Sequence, residues 1–117
     1  MQFKLIIQKN VTSLVEEIDF ASIQDHLYEE GIISADDIRD ISNQTTSRGK
    51  NSKLLRMLPH RGVAAHTHLK EALTLTNQHH LVEKLSTQVS EEELQNALKG
   101  RVIINFFQQR NVELVGD

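Results

Sequence analysis

Apolar positions recur along this chain with the period of helices. Phe3, Ile7, Val11, Leu14 and Ile18 step by three and four, which places them on one face of a first helix of about 15 residues. Asp19 stands where a cap is needed for the next segment. There Phe20, Ile23 and Leu27 repeat the period until Gly31 supplies a left-handed stop. Ser34 and Asp37 have the spacing of a capping box, and Ile38 and Ile41 then face inward on a short third helix.

Thr45, Thr46 and Ser47 make a polar break before Leu54, Leu55 and Leu58, which mark a fourth helix. Pro59 is expected to end it, because the proline ring disfavours a helical Leu58, and Gly62 opens the turn. A fifth helix is predicted from about Val63 to Leu75, with Ala65, Leu69, Ala72 and Leu73 inside. Asn77 is placed to cap a sixth, which carries Leu81, Val82 and Leu85. Connections of a few residues favour antiparallel neighbours in a bundle.

Beyond this point Ser90 and Glu93 form a second capping box, so a short seventh helix is predicted over 91–99, with Gly100 as its stop. The run Val102-Ile103-Ile104-Asn105-Phe106-Phe107 fits a strand or a helix equally well. The expected organisation is therefore a domain over 1–87 and a C-terminal extension over 88–117.

With 117 residues, 38% of them apolar, one core is expected. The chain has no cysteine, which excludes disulfides and thiolate metal sites and suits a reducing compartment. Met1 to Ile7 lacks the form of a secretory leader, and no apolar run reaches the ~18 residues of a membrane span. A cytoplasmic location and no membrane partner are the expectations. A net charge of -3 gives no overall attraction to nucleic acid.

The chemistry-bearing residues do not assemble into an enzyme. His66 and His68 lie two apart and His79 and His80 are adjacent, so neither pair shares a helical face as ligands at i and i+4 would. No carboxylate pair sits on an apolar stripe, and the serines and threonines gather at helix starts without a nucleophile elbow or phosphate loop. No catalytic residue, metal, cofactor or small-molecule substrate is expected.

Charge is distributed unevenly. Glu16, Glu17, Asp19, Asp25, Glu29, Glu30, Asp36, Asp37 and Asp40 fall in one stretch whose only Lys or Arg is Arg39. Arg48, Lys50, Lys53, Arg56 and Arg61 fall in the next, which has no acid. Asp25 and Glu29 are a turn apart, as are Asp36 and Asp40, while Lys50, Lys53 and Arg56 step by three, so each set can share a surface. An electrically two-sided domain can dock head to tail on a copy or a relative.

The segment Ile23-Gln24-Asp25-His26-Leu27-Tyr28-Glu29-Glu30-Gly31-Ile32-Ile33-Ser34, then Asp37-Ile38, then Lys53-Leu54-Leu55-Arg56-Met57-Leu58-Pro59-His60-Arg61-Gly62, resembles caspase recruitment domains. The likeness extends through His80-Leu81-Val82-Glu83-Lys84-Leu85 and spans residues 3 to 86. Its pattern is nearest to initiator-caspase prodomains and the adaptors that recruit them. The Arg-x-Asp-Leu signature of death effector relatives is absent.

The resemblance implies an all-α, antiparallel six-helix Greek-key bundle of the death fold with a bent first helix, followed here by the short seventh helix and tail. It also implies homotypic docking of acidic residues of the second and third helices on basic residues of the first and fourth. The matching acids are Asp25, Glu29, Glu30, Asp36, Asp37 and Asp40; the matching bases are Lys9, Arg48, Lys50, Lys53 and Arg56. The first helix departs from the pattern, offering only Lys4 and Lys9, with an apolar Val11 where a base is usual. The implied partners are other caspase recruitment domains, on a caspase, adaptor or receptor, and a second copy of the chain, in apoptotic or innate immune signalling. Two rivals stand beside this reading: the non-catalytic prodomain of a longer caspase or receptor, and a nucleic-acid binder using the basic fourth helix, which the acidic half opposes.

Overall fold

The first apolar stripe makes two helices where one was predicted. In the computed structural model, which describes residues 2–99 together with 106 and 107, α1 (Gln2–Lys9) gives way at Asn10 to α2 (Val11–Glu17). The Asn10 side-chain amide donates to the Ile6 carbonyl at 2.9 Å, the Lys84 carbonyl at 3.0 Å and Thr87 Oγ1 at 3.1 Å. Asparagine competes with the helical backbone for its own carbonyls, so the break falls there and is tied to a segment far along the chain.

The remaining helices are α3 (Phe20–Glu29), α4 (Ala35–Ser42), α5 (Ser47–Met57), α6 (Ala65–Leu75), α7 (His79–Leu85) and α8 (Glu91–Leu98), with a 3-10 turn at Leu58–His60. Among the described residues there is no strand, so the fold is all-helical. Gly31 and Gly62 take the left-handed φ values of 75° and 100° that the sequence requires of them.

Both capping boxes form. Ser34 Oγ accepts from the Asp37 amide at 3.0 Å while Asp37 Oδ2 accepts from the Ser34 amide at 2.9 Å. Ser90 and Glu93 repeat the arrangement at the start of α8. Thr46 caps α5 through the Gly49 amide.

Four local expectations are corrected. Asp19 occupies the N-cap position of α3 but its carboxylate makes no cap bond; it accepts from the Ser22 hydroxyl at 2.7 Å, and the Asp19 amide donates to Gln78 Oε1 at 2.9 Å. Asn77 does not cap α7: it adopts a φ of 62°, and Gln78 is the N-cap residue. Leu58 keeps helical dihedrals in spite of Pro59, because the chain tightens into a 3-10 turn whose first residues tolerate proline. Val63 lies outside α6 and is fully exposed.

The predicted apolar positions build one core. Ile7, Leu14, Ile23, Leu27, Ile41, Leu54, Leu55, Leu58, Leu69, Leu73, Leu81 and Leu85 are all fully buried. Each such side chain contributes about 1.5–3 kcal/mol through removal from water. Within the bundle α2 lies along α5, α3 lies along α6, α4 packs on α5, and α7 closes against α6, α1 and α2.

Beyond the bundle, α8 has no buried residue, although Val89 packs against the core. The predicted run Val102 to Phe107 lies outside the described residues except for Phe106 and Phe107, which are helical, half-buried and packed on the core. No described helix is long and apolar enough to cross a membrane.

Candidate protein-interaction surfaces

The acidic residues sort into exposed charges and one that the fold consumes. Asp25 and Glu29 on α3, and Asp36 and Asp40 on α4, all reach solvent from the outer sides of helices whose inner faces carry Ile23, Leu27 and Ile41. Asp25, Glu29 and Asp40 have no hydrogen-bond or ion-pair partner among the described residues. Asp36 pairs with Arg39 one turn on at 2.9 Å. Glu30, the C-cap of α3, has its carboxylate 3.7 Å from His68 Nε2 on α6.

Asp37 differs from its neighbours. It is buried, closes the capping box, and accepts from Arg61 at 2.9 Å. Burial opposes its charge, but the Ser34 amide and hydroxyl and the Arg61 guanidinium together outweigh that and hold its carboxyl below the usual carboxylate value. Arg61, from the basic stretch, is thereby an internal partner of the acidic helix.

The basic side is built on α5. Lys50 and Lys53 are half-buried and have no ion-pair partner among the described residues. Arg48 is exposed and bonds Glu16 of α2 at 2.8 Å. Arg56 is exposed, stacks its guanidinium 4.5 Å over the Phe106 ring, and donates from Nε to the Phe106 carbonyl at 3.1 Å. The Phe106 amide in turn donates to Gln8 Oε1 of α1 at 3.0 Å.

The lysines of α1 are engaged by α8 and by Phe107. Lys9 pairs with Glu93 of α8 at 2.8 Å, and Lys4 sits 5.6 Å over the Phe107 ring. The Lys9 ammonium and the Ser90 capping bonds hold the Glu93 carboxyl below its ordinary range. The expected basic set thus includes members that already have intramolecular partners and members that do not.

Some residues that organise these surfaces carry no periodic signal. Asn51 is buried in α5, and its amide donates at 2.8 Å to both the Val15 and Ile18 carbonyls, closing the C-terminal end of α2 onto α5. Its own Oδ1 has no hydrogen-bond partner among the described residues. A polar residue one turn before Leu54 and Leu55, on the same stripe, is the only trace of this in the sequence.

The histidines fall outside the in-helix pairing test that the sequence allowed. His66 stacks on Phe3 at 4.5 Å and donates from Nε2 to the Leu85 carbonyl at 2.8 Å; burial pulls its pKa down. His80 meets Glu17 at 2.9 Å. His26 of α3 and His68 of α6 both meet Glu71, a juxtaposition across two helices that spacing within either could not show.

Comparison with known proteins agrees with this architecture. The family model described as "Caspase recruitment domain" matches residues 4–88. The chain is similar to caspase-2 of Gallus gallus, 32% identical over 79 residues, which covers 68% of this chain and 19% of that protein. No solved structure matches. A match over that length, on an all-helical body whose apolar positions are the buried ones, makes this chain a member of the caspase recruitment domain family.

Proposed function

We propose that this chain is a homotypic assembly module in which Asp25, Glu29, Glu30, Asp36 and Asp40 of one domain meet Arg48, Lys50, Lys53, Arg56 and Lys9 of another. One observation carries the reading: Asp25, Glu29 and Asp40 on one side, and Lys50 and Lys53 on the other, have no ion-pair partner among the described residues. Unpaired like charges one turn apart repel within the molecule and gain from an opposite surface elsewhere. Asp37 belongs to the same set in sequence but acts on the fold.

In this reading residues 1–87 form a six-helix Greek-key bundle in which α1 and α2 are the two halves of a bent first helix, and 88–117 is an extension. The domain is a scaffold without chemistry of its own. Its partners are caspase recruitment domains of caspases, adaptors or receptors, and copies of itself, meeting in the cytoplasm during apoptotic or innate immune signalling. Polar contacts of this kind are weak singly and sensitive to salt, so useful affinity comes from many at once.

The similarity to caspase-2, of which this chain spans about a fifth, favours a second reading as the non-catalytic recruiting segment of a longer caspase. Both readings use the same surfaces.

The test reverses charge at Asp25 and, separately, at Lys53, and measures assembly by sedimentation velocity. Each reversal should weaken assembly at least about tenfold, equivalent to about 1.4 kcal/mol, with the thermal midpoint unchanged. Mixing the two variants should restore it. Full assembly of both single variants sinks the proposal.

A further inference from the structure

We propose that His26, His68 and Glu71 form a site for a divalent transition metal, Zn2+ foremost, across the seam between α3 and α6. The seam is a rigid place to hold ligands. His26 precedes the fully buried Leu27 on α3 and His68 precedes the fully buried Leu69 on α6, and the two helices pack against each other, so the backbone that carries each imidazole is fixed by the core. Ligands held on packed helices lose little freedom when a metal binds.

The donor atoms converge. His68 Nδ1 lies 2.8 Å and His26 Nε2 lies 3.4 Å from the same Glu71 oxygen, and one ligating atom from each residue falls within 4.8 Å of the others. Zn2+ takes imidazole nitrogen and carboxylate oxygen at about 2.0–2.2 Å, which sets neighbouring donors of a tetrahedron about 3.3 Å apart. The His26 to Glu71 separation already matches. The His68 to Glu71 contact is a hydrogen bond through a ring proton, and a metal replaces that proton and widens the pair by about half an ångström.

Glu30 supplies the outer support such a site needs. If His68 ligates through Nδ1, its Nε2 carries the remaining proton, and that atom faces the Glu30 carboxylate at 3.7 Å. A carboxylate behind a ligating imidazole fixes its tautomer and raises its basicity. Two imidazoles and a carboxylate leave one tetrahedral position for water. The oxygen and nitrogen donors select Zn2+, Co2+ or Ni2+ over Ca2+ or Mg2+.

The site shares Glu30 with the proposed acidic docking set, but its ligands are not in that set and its test does not use assembly. The untagged 117-residue chain is titrated with Zn2+ by calorimetry and with Co2+ by visible absorption. The expected results are one bound equivalent, a raised thermal midpoint, and the intense visible bands of tetrahedral Co2+. His26→Ala, His68→Ala and Glu71→Gln should each weaken binding at least about tenfold, and Glu30→Gln should weaken it less steeply. Glu71→Gln alters an exposed side chain and guards against loss of binding through unfolding. The double variant His79→Ala, His80→Ala should bind as the native chain does. Absence of a bound equivalent overturns the site, as does binding that survives Glu71→Gln or is lost with His79 and His80.

Discussion

The acidic helices α3 and α4 and the basic helix α5 are built alike, with apolar inner faces in one core and charge outside, yet they differ in what becomes of that charge. On the acidic side the fold takes Asp37 into its interior and leaves Asp25, Glu29 and Asp40 without described partners. On the basic side Arg48 is engaged by Glu16, Lys9 by Glu93 and Arg56 by Phe106. A surface read from a row of like charges is therefore not a uniform surface. Each charge has to be assigned by what lies within reach of it.

The largest break in this contrast comes from Asp37. Asp37→Lys removes one half of a capping box and leaves Arg61 facing a like charge, so we expect a loss of about 3 kcal/mol in urea unfolding. A cost under about 1 kcal/mol would return Asp37 to the exposed acidic set.

Behind the basic side, Asn51→Ala strips the Val15 and Ile18 carbonyls of their donor but also removes the unpartnered Asn51 Oδ1. The two effects oppose each other, and a net loss of about 1–2 kcal/mol is expected by the same measurement. A stabilised variant would mean that the lock between α2 and α5 has another origin.

A smaller effect is carried by pH. Because burial lowers the pKa of His66 in the folded chain, the unfolded chain binds more protons between the folded value and the ordinary 6.5. Stability from this group is complete above the ordinary value and is lost as pH falls through the folded one. Thermal midpoints measured on either side of that window should drop on acidification, and His66→Gln should flatten this part of the profile. An unchanged slope would point to other groups.

The smallest effects belong to the exposed pairs. Arg48→Gln and Glu93→Gln break contacts whose members are more than a third exposed; Arg48→Gln should change stability by less than about 1 kcal/mol and Glu93→Gln should barely move the thermal midpoint, both effects being smaller still at high salt. Because glutamine can still close the capping box, a larger loss at Glu93 would identify the contact with Lys9 as what anchors α8.

Much of this architecture could be read in advance. Ile7, Leu14, Ile23, Leu27, Leu54, Leu55, Leu69 and Leu81 were marked by their period and are fully buried. Ser34 with Asp37, and Ser90 with Glu93, announced helix starts that formed. Among the expectations that failed were three in which a polar side chain had a choice of partner. Asp19 was offered an amide and took the Ser22 hydroxyl; Asn77 ceded the cap to Gln78; Asn10 broke a helix that its apolar neighbours would have continued.

The chain alone determined the helical class, the apolar faces, the capped starts and the segregation of sign between Glu16–Asp40 and Arg48–Arg61, because these depend on neighbours within one or two turns. Only the packed molecule decided where Asn10 and Asn51 bind, that Asp37 belongs with Arg61, which lysines stay free of described partners, and that His26 meets His68 and Glu71, 45 residues beyond it. Hydrogen bonds and ion pairs act over a few ångströms, and between distant segments that distance is set by how the helices lie against one another.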